Sequence, residues 1–182
     1  MSENHLQQLK DMSALERIAW AYEIYGGGLV ITSSFGMQSV VLLSLARKQG
    51  LKIPVLTVDI PGEKYDVQRQ YRRILQKHFG FDLRVFEAAN DSDKVSTMDR
   101  GLKKICATAC LTGIRWEQTE TRAKKIFFEI CSTGIINIHP ILDWSDDAVN
   151  DFISDPALST VYGGPEVCDR DWSELKWNHC LL

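Results

Sequence analysis

Leu29-Val30-Ile31-Thr32-Ser33-Ser34-Phe35-Gly36-Met37-Gln38-Ser39 is the stretch on which the fold turns. Its first four residues are apolar or β-branched and lie between a run of three glycines and a pair of serines. That pattern predicts a short strand buried on both faces. Beyond the polar turn, Val41, Leu42, Leu45 and Ala46 recur at three- and four-residue spacing up to Gly50, which predicts a helix and its stop. Upstream, Ser13 and Glu16 have capping-box spacing, and Leu15, Ile18, Ala19 and Tyr22 follow at helical intervals. A first amphipathic helix therefore begins near Ser13 and ends at the glycine run.

The strand, turn and helix unit repeats along the chain. Residues 53–58 read as a buried strand, and Val67, Tyr71, Ile74, Leu75 and His78 stripe a helix ending near Gly80. A strand follows at 82–86, then a helix after the polar stretch 90–93, running to about residue 104. Later strands fall near 107–112 and 135–138, and Ser145 caps a last helix carrying Val149, Phe152 and Ile153. Alternating strands and helices with short links predict a doubly wound α/β domain, with a mostly parallel sheet and helices on both faces. This domain spans residues 1–153. From 154 to 182, Pro156, Gly163, Gly164 and Pro165 break regularity and predict an irregular C-terminal tail or flap.

The 182 residues suit one domain, and 45% hydrophobic with 25% charged residues is ordinary globular usage. Lys plus Arg number 21 against 24 Asp plus Glu, so no global positive field recruits nucleic acid or an anionic membrane. Any anion must be caught locally. Residues 1–11 have neither a basic n-region nor an apolar h-region, and no apolar run is long enough to cross a bilayer. Five cysteines, an odd number, fit a reducing compartment better than a disulfide framework, so a cytoplasmic protein is expected.

Ligands of open parallel sheets bind where strands end and helices begin. The turn here offers unpaired amides at a helix N-terminus, the hydroxyls of Ser33, Ser34 and Ser39, and Gly36, which lets the main chain approach an anion. A phosphate or sulfate fits that description; the plainer reading is that the serines cap a helix. Arg115 and Arg122 are planar forks suited to phosphate or sulfate oxygens, or else surface arginines pairing with Glu117 or Glu120. Cys106 and Cys110 lie one helical turn apart with no second pair to complete a zinc or iron-sulfur set, so both are expected to be packing residues and no metal is expected. His5, His78 and His139 show no metal-ligand spacing and read as solvated, helix-packed or strand-end residues. Trp20, Trp144 and Trp172 read as core or interface anchors.

The chain from Ile18 to about Ile153 resembles the phosphoadenosine phosphosulfate (PAPS) reductase family, within the PP-loop group of adenine-nucleotide proteins. Four ordered segments carry the resemblance. Residues 33–39 look like the family's modified phosphate loop, and Ile53-Pro54-Val55-Leu56-Thr57-Val58-Asp59 looks like its second strand. Gly113-Ile114-Arg115-Trp116-Glu117-Gln118-Thr119-Glu120-Thr121-Arg122 resembles the segment beside the phosphosulfate, and Pro140-Ile141-Leu142-Asp143-Trp144 resembles a further signature before a helix. The resemblance implies that Ser33, Ser34, Phe35, Gly36, Gln38, Ser39, Thr57, Asp59, Lys94, Arg115, Gln118 and Arg122 bind the substrate. Asp59 otherwise reads as a helix cap and Lys94 as a solvated lysine. Trp116 stands where many relatives have a second arginine, and Lys64-Tyr65-Asp66-Val67 replaces the family's Phe-Pro-Glu-Thr.

The family's nucleophile is a cysteine in a C-terminal Glu-Cys-Gly-Leu-His tail. It attacks sulfur and leaves an S-sulfonate that thioredoxin or glutaredoxin releases as sulfite. Cys180, in Asn178-His179-Cys180-Leu181-Leu182, is the matching position, although the Glu, Gly and terminal His are absent; the bland reading is an ordinary terminal cysteine. Cys168 is a second candidate thiol, in a resolving role. The adjacent cysteines and Cys-x-x-Cys of adenylyl-sulfate reductases are missing, so the resemblance implies no iron-sulfur cluster and no tightly bound cofactor. Family members are often homodimers, which makes chain pairing a further expectation. Two other readings stand beside reduction of PAPS or adenylyl sulfate. One is an ATP-splitting PP-loop enzyme of sulfur transfer or nucleobase modification. It is disfavoured by Gln38, a poor magnesium ligand where those enzymes carry Asp. The other is a nucleotide-binding protein without catalysis.

Overall fold

The computed structural model describes residues 3–62, 65–155 and 158. In chain order it contains α1 (Glu3–Asp11), α2 (Ala14–Tyr25), β1 (Leu29–Thr32), α3 (Met37–Lys48), β2 (Val55–Asp59), α4 (Asp66–Phe79) and β3 (Leu83–Glu87). Then follow α5 (Lys94–Lys104), β4 (Ala109–Leu111), β5 (Phe128–Ile130), β6 (Ile136–Ile138) and α6 (Asp146–Ile153). The strands form one six-stranded sheet in the order β3-β2-β1-β4-β6-β5. Every pairing is parallel except that of β5 with β6.

All four side chains of β1 are buried, as a central strand covered on both faces requires. Leu29 and Ile31 join Val55, Ala109, Leu111 and Ile138 in a core shared with α1, α2, α3, α4 and α6. Val30, Leu56 and Cys110 face the other way, against Leu102 of α5 and Ile135. At roughly 1.5–3 kcal/mol for each fully buried aliphatic side chain, these two clusters hold the sheet between its helices. The covering is unequal, because α5 is the helix that packs the second face among the described residues. A helix-free stretch of that face beside β4 and β6 is left to form the wall of a cavity.

The expected helices are present with the expected punctuation. Ser13 and Glu16 form the reciprocal capping box of α2, and Gly80 ends α4 in the left-handed region at φ 67°. Several expectations are corrected. The buried face of α2 is Ala14, Arg17, Ile18 and Ala21, whereas Ala19 and Leu15 are exposed. The apolar pattern had left out a buried arginine, which turns the face by about one residue. In α4, Tyr71 and Leu75 are buried, but Ile74 and His78 are exposed because the helix presents a narrow stripe to the sheet. The strand expected over 53–58 begins at Val55, since Pro54 has no N–H for the ladder and contributes only its carbonyl, accepting from Ile31 N at 2.8 Å. Cys106 is exposed in a turn at φ 55°, so it does not pack, whereas Cys110 is buried as expected.

Two elements were not foreseen. Helix α1 is polar and anchored by Leu9, which is fully buried, so it has too few apolar positions to register as a periodic stripe. Strand β5 has three residues and returns to β6 through a tight turn in which Gly134 takes φ 83° and its N–H donates to Cys131 O at 2.9 Å. No described helix is long and apolar enough to cross a membrane. The domain division at 153 and 154, the tail, and with it Cys168, Trp172 and Cys180, fall at or outside the limit of the described residues.

Gly101 of α5 lies against the Phe86 ring, and a Cβ built there would come within 2.8 Å of a ring carbon. Gly101→Ala should cost about 1–3 kcal/mol in urea unfolding, and Phe86→Leu should recover part of it because the obstruction is a side chain.

Candidate functional site

The strand order reverses at β1, which has β2 on one side and β4 on the other, so a crevice opens at the carboxyl ends of β1 and β4. A cavity of about 630 Å³ occupies it, a size suited to a nucleotide-scale ligand. Every described residue assigned to the substrate from the sequence lines this cavity. The structure thus brings together three separate loops and the start of α5.

The turn after β1 forms the floor. Ser33 N donates to Leu56 O at 3.0 Å, extending the sheet by one residue, and Ser33 Oγ accepts from Phe35 N at 3.0 Å. Phe35 takes φ 61°, an uncommon conformation for an aromatic residue. Its ring is buried and stacked on Phe81 with centroids 5.9 Å apart, which holds the turn in that shape. Gly36 precedes α3, whose first turn has no side-chain cap. The partial positive charge of a twelve-residue helix therefore faces the cavity. Gly113, just past β4, presses against this turn: a Cβ there would lie 3.1 Å from Gln38 Cβ and 3.2 Å from the Gln38 backbone.

The arginines are already engaged. Arg115 has a side chain only 2% exposed. Its Nη1 donates to Trp144 O at 2.9 Å and its Nη2 to Asp146 Oδ1, while Nε has no acceptor among the described residues. Thr32 Oγ1, also buried on the cavity wall, is likewise without a partner there. Gln118 Oε1 accepts from Arg115 N at 3.0 Å and from Arg122 Nη1 at 2.7 Å, so Gln118 serves to tie the two arginines together. Burial, and next the positive charge of Arg115, lower the pKa of Arg122. An anion between the two guanidiniums would relieve both effects.

Elsewhere on the cavity wall, Lys94 Nζ pairs with Asp91 at 2.6 Å and stands over the Tyr65 ring. Asp59 is held by Arg72 at 2.8 Å and Arg69 at 3.4 Å, and Thr57 is buried beside it. Asp59 thus anchors α4 to β2 through ion pairs and does not cap the helix, which corrects the plainer sequence reading; Tyr65 stands at the N-cap. Sequence reading missed Tyr65, Arg72 and Asp146 on the cavity wall, and also Asn137 and Cys131 on its far side. The one available signal was Arg69 and Arg72, three residues apart on α4 and within reach of Asp59.

Behind β4 lies a buried polar group that orders the Gly113 segment. Thr112 Oγ1 and His139 Nδ1 are 2.6 Å apart, and His139 Nε2 faces Glu129 Oε2 at 3.7 Å. The partners favour the tautomer with its proton on Nε2, so that Nδ1 accepts from the threonine. Burial lowers the His139 pKa, against the pull of Glu129. His139 and then Lys125, whose Nζ is 2.9 Å away, hold the Glu129 carboxyl down to about 2. His139 is therefore a buried strand-end histidine, one of the readings its sequence position allowed.

Residues 28–161 match the family described as Phosphoadenosine phosphosulfate reductase domain. The chain is similar to the phosphoadenosine 5′-phosphosulfate reductase of Yersinia enterocolitica, 31% identical over 84% of this chain and 71% of that protein. In fold it is similar to a PAPS reductase of Candida auris solved as a phosphate complex, with TM-score 0.68, 22% identity, and coverage of 86% and 88% of the two chains. It is also similar in fold to FMN adenylyltransferase of Candida glabrata solved with ATP, with TM-score 0.63, 13% identity, and coverage of 82% and 55%.

Two outcomes check this geometry. Gly113→Ala should lower the melting temperature by roughly 2–8 °C, corresponding to about 1–2 kcal/mol, and Gln38→Ala should not restore it because the backbone of Gln38 is also in the way. Glu129 has a folded pKa below its ordinary 4.5, so its contribution is present above that value and is lost as pH falls toward about 2. In denaturant titrations the stability gap between the native chain and Glu129→Gln should widen as pH drops through 6, because without Glu129 the His139 pKa is depressed further from 6.5, and should then shrink as pH falls from 4.5 toward about 2.

Proposed function

The chain belongs to the phosphoadenosine phosphosulfate reductase domain family, and from that premise we propose that it reduces phosphoadenosine phosphosulfate, or the related adenylyl sulfate, to sulfite. The observation that carries this reading is the convergence of Arg115 and Arg122 with the uncapped end of α3 on one cavity. Charge-assisted donors and a helix N-terminus aimed at one space suit an oxyanion.

In this reading the phosphosulfate lies between the turn 33–39 and the two arginines, with the adenosine extending toward Thr57 and Asp59. Cys180 supplies the thiolate. It attacks the sulfur, a new S–S bond forms, and the bond from sulfur to the bridging oxygen breaks. The electron pair leaves on the phosphate, as adenosine bisphosphate from PAPS or as AMP from adenylyl sulfate. The first turn of α3, Arg115 and Arg122 stabilise that developing charge, the setting in which fixed donors act most strongly. One thiolate of thioredoxin or glutaredoxin then attacks the Cys180 sulfur and expels sulfite, and its second thiol closes a disulfide and frees Cys180. Two electrons pass from the dithiol to the sulfur, and no metal enters the sequence of steps. Lys94, which lines the same cavity and pairs with Asp91, would be a further cation for the sulfate oxygens. A cytoplasmic location suits the thiol donor.

Purified protein incubated with PAPS and reduced thioredoxin should yield sulfite and adenosine bisphosphate in equal amounts. Cys180→Ser should lose that activity by roughly a thousandfold or more while still binding adenosine bisphosphate. Bound nucleotide without sulfite in the native protein would leave a binding protein, and magnesium-dependent release of pyrophosphate from ATP would point to the ATP-splitting branch.

A further inference from the structure

The segment 140–146, whose first five residues were singled out in the sequence as a signature and given no part in the chemistry above, is gripped from two sides by two buried arginines. On its outer side stands Arg17 of α2, with a side chain 2% exposed. Each N–H of this guanidinium is used. Nε donates to Leu9 O at 2.8 Å, Nη1 to Pro140 O at 2.8 Å and Asp143 Oδ1 at 2.7 Å, and Nη2 to Asp143 Oδ2 at 2.9 Å and Lys10 O at 3.3 Å. Phe127 closes its face at 3.9 Å. A guanidinium has five donors and this one has five acceptors, so it has none left for a ligand.

On its inner side the same segment holds the cavity arginine. Trp116 N donates to Leu142 O at 2.9 Å, Arg115 Nη1 to Trp144 O at 2.9 Å, and Arg115 Nη2 to Asp146. Asp146 N donates to Glu117 Oε2 at 2.7 Å. Between the two grips, Ile141 and Leu142 are fully buried, and the backbone is folded by turns from Leu142 N to His139 O and from Trp144 N to Ile141 O. A segment packed this way has little freedom to shift at one grip without moving at the other.

We infer that Arg17 and Asp143 are positioning residues for the anion site: their bidentate pair holds the segment 140–146, and with it Arg115, in place on the cavity wall. The inference rests on the cavity being the nucleotide site. Arg17 touches no ligand and acts through Asp143, the segment and Arg115 in turn. A bidentate arginine and carboxylate pair suits this task, because its two parallel bonds define orientation as well as distance. The signature at Asp143 thus has a physical reason that lies outside the reaction itself.

Amide hydrogen exchange and calorimetry with adenosine 3′,5′-bisphosphate, applied to the full chain, test this. Asp143→Asn should raise exchange in the peptides covering 113–118 and 140–149 while leaving 29–48 at the native rate. It should weaken nucleotide binding about tenfold or more. In an Arg115→Lys background, Asp143→Asn should change affinity by less than about twofold, because the residue it positions is already altered. Asp143→Glu, which keeps the charge, should recover part of the affinity and supplies the measurement should Asp143→Asn fail to fold. A lowered melting temperature with native exchange in 113–118 and native affinity overturns the inference, as do effects of the two substitutions that simply multiply. A native protein that binds no adenosine nucleotide sinks the functional reading alone, since the exchange result still decides whether Asp143 orders the Arg115 segment.

Discussion

The near-contact of Gly113 with the first turn of α3 is the constraint on which the site depends. Parallel strands β1 and β4 lie side by side, and the loops leaving their carboxyl ends must share one small space. The absence of a Cβ at Gly113 lets the β4 loop settle on Gln38, and from there the chain runs directly into Arg115. A bulkier residue would part the helix terminus from the arginine. The two sources of positive charge that face the cavity are thus brought together by a backbone approach, and no pairing between the charged groups themselves is needed.

The charges in the cavity are held before any ligand arrives. Arg115 is carried by Trp144 O and Asp146, Arg122 by Gln118, Arg72 by Asp59, and Lys94 by Asp91. Buried charges left alone are unstable, so each is matched to a carboxylate, an amide or a carbonyl. Such matching also limits how far the side chains can wander. Donors already in place lose little freedom when an oxyanion enters, which is the condition under which fixed dipoles and charges favour a developing negative charge. The strained turn at Phe35, pinned by Phe81, extends the same rigidity to the floor.

The two faces of the sheet divide the work. The helices α2, α3, α4 and α6 pack one face into a continuous core and give the domain most of its buried apolar surface. On the other face α5 packs Val30 and Leu56 and stops short of β5, so Asn137 and Cys131 look into the cavity. The polar group of Thr112, His139 and Glu129 on that side replaces an apolar layer with hydrogen bonds and charge, and so ties β4, β6 and β5 together beneath the ligand space.

Much of this was legible in the chain. The apolar run of β1 followed by Ser33 and Gly36, the cap at Ser13 and the stop at Gly80 are local signals, set by backbone geometry within a few residues. They determined a doubly wound α/β domain with a cavity at the first turn, and the ordered segments named side chains that line it. Strand β5, helix α1 and the buried face of α2 were not legible, because three residues of strand or one Leu9 carry no periodicity, and a buried Arg17 runs against the apolar pattern. Its burial is tolerable only because Asp143, far along the chain, the carbonyls of Leu9, Lys10 and Pro140, and the Phe127 ring meet it in space. Local chemistry thus sufficed for most elements and the loop at the crevice; only the tertiary fold decided which charges are spent on one another, since that depends on partners distant in sequence.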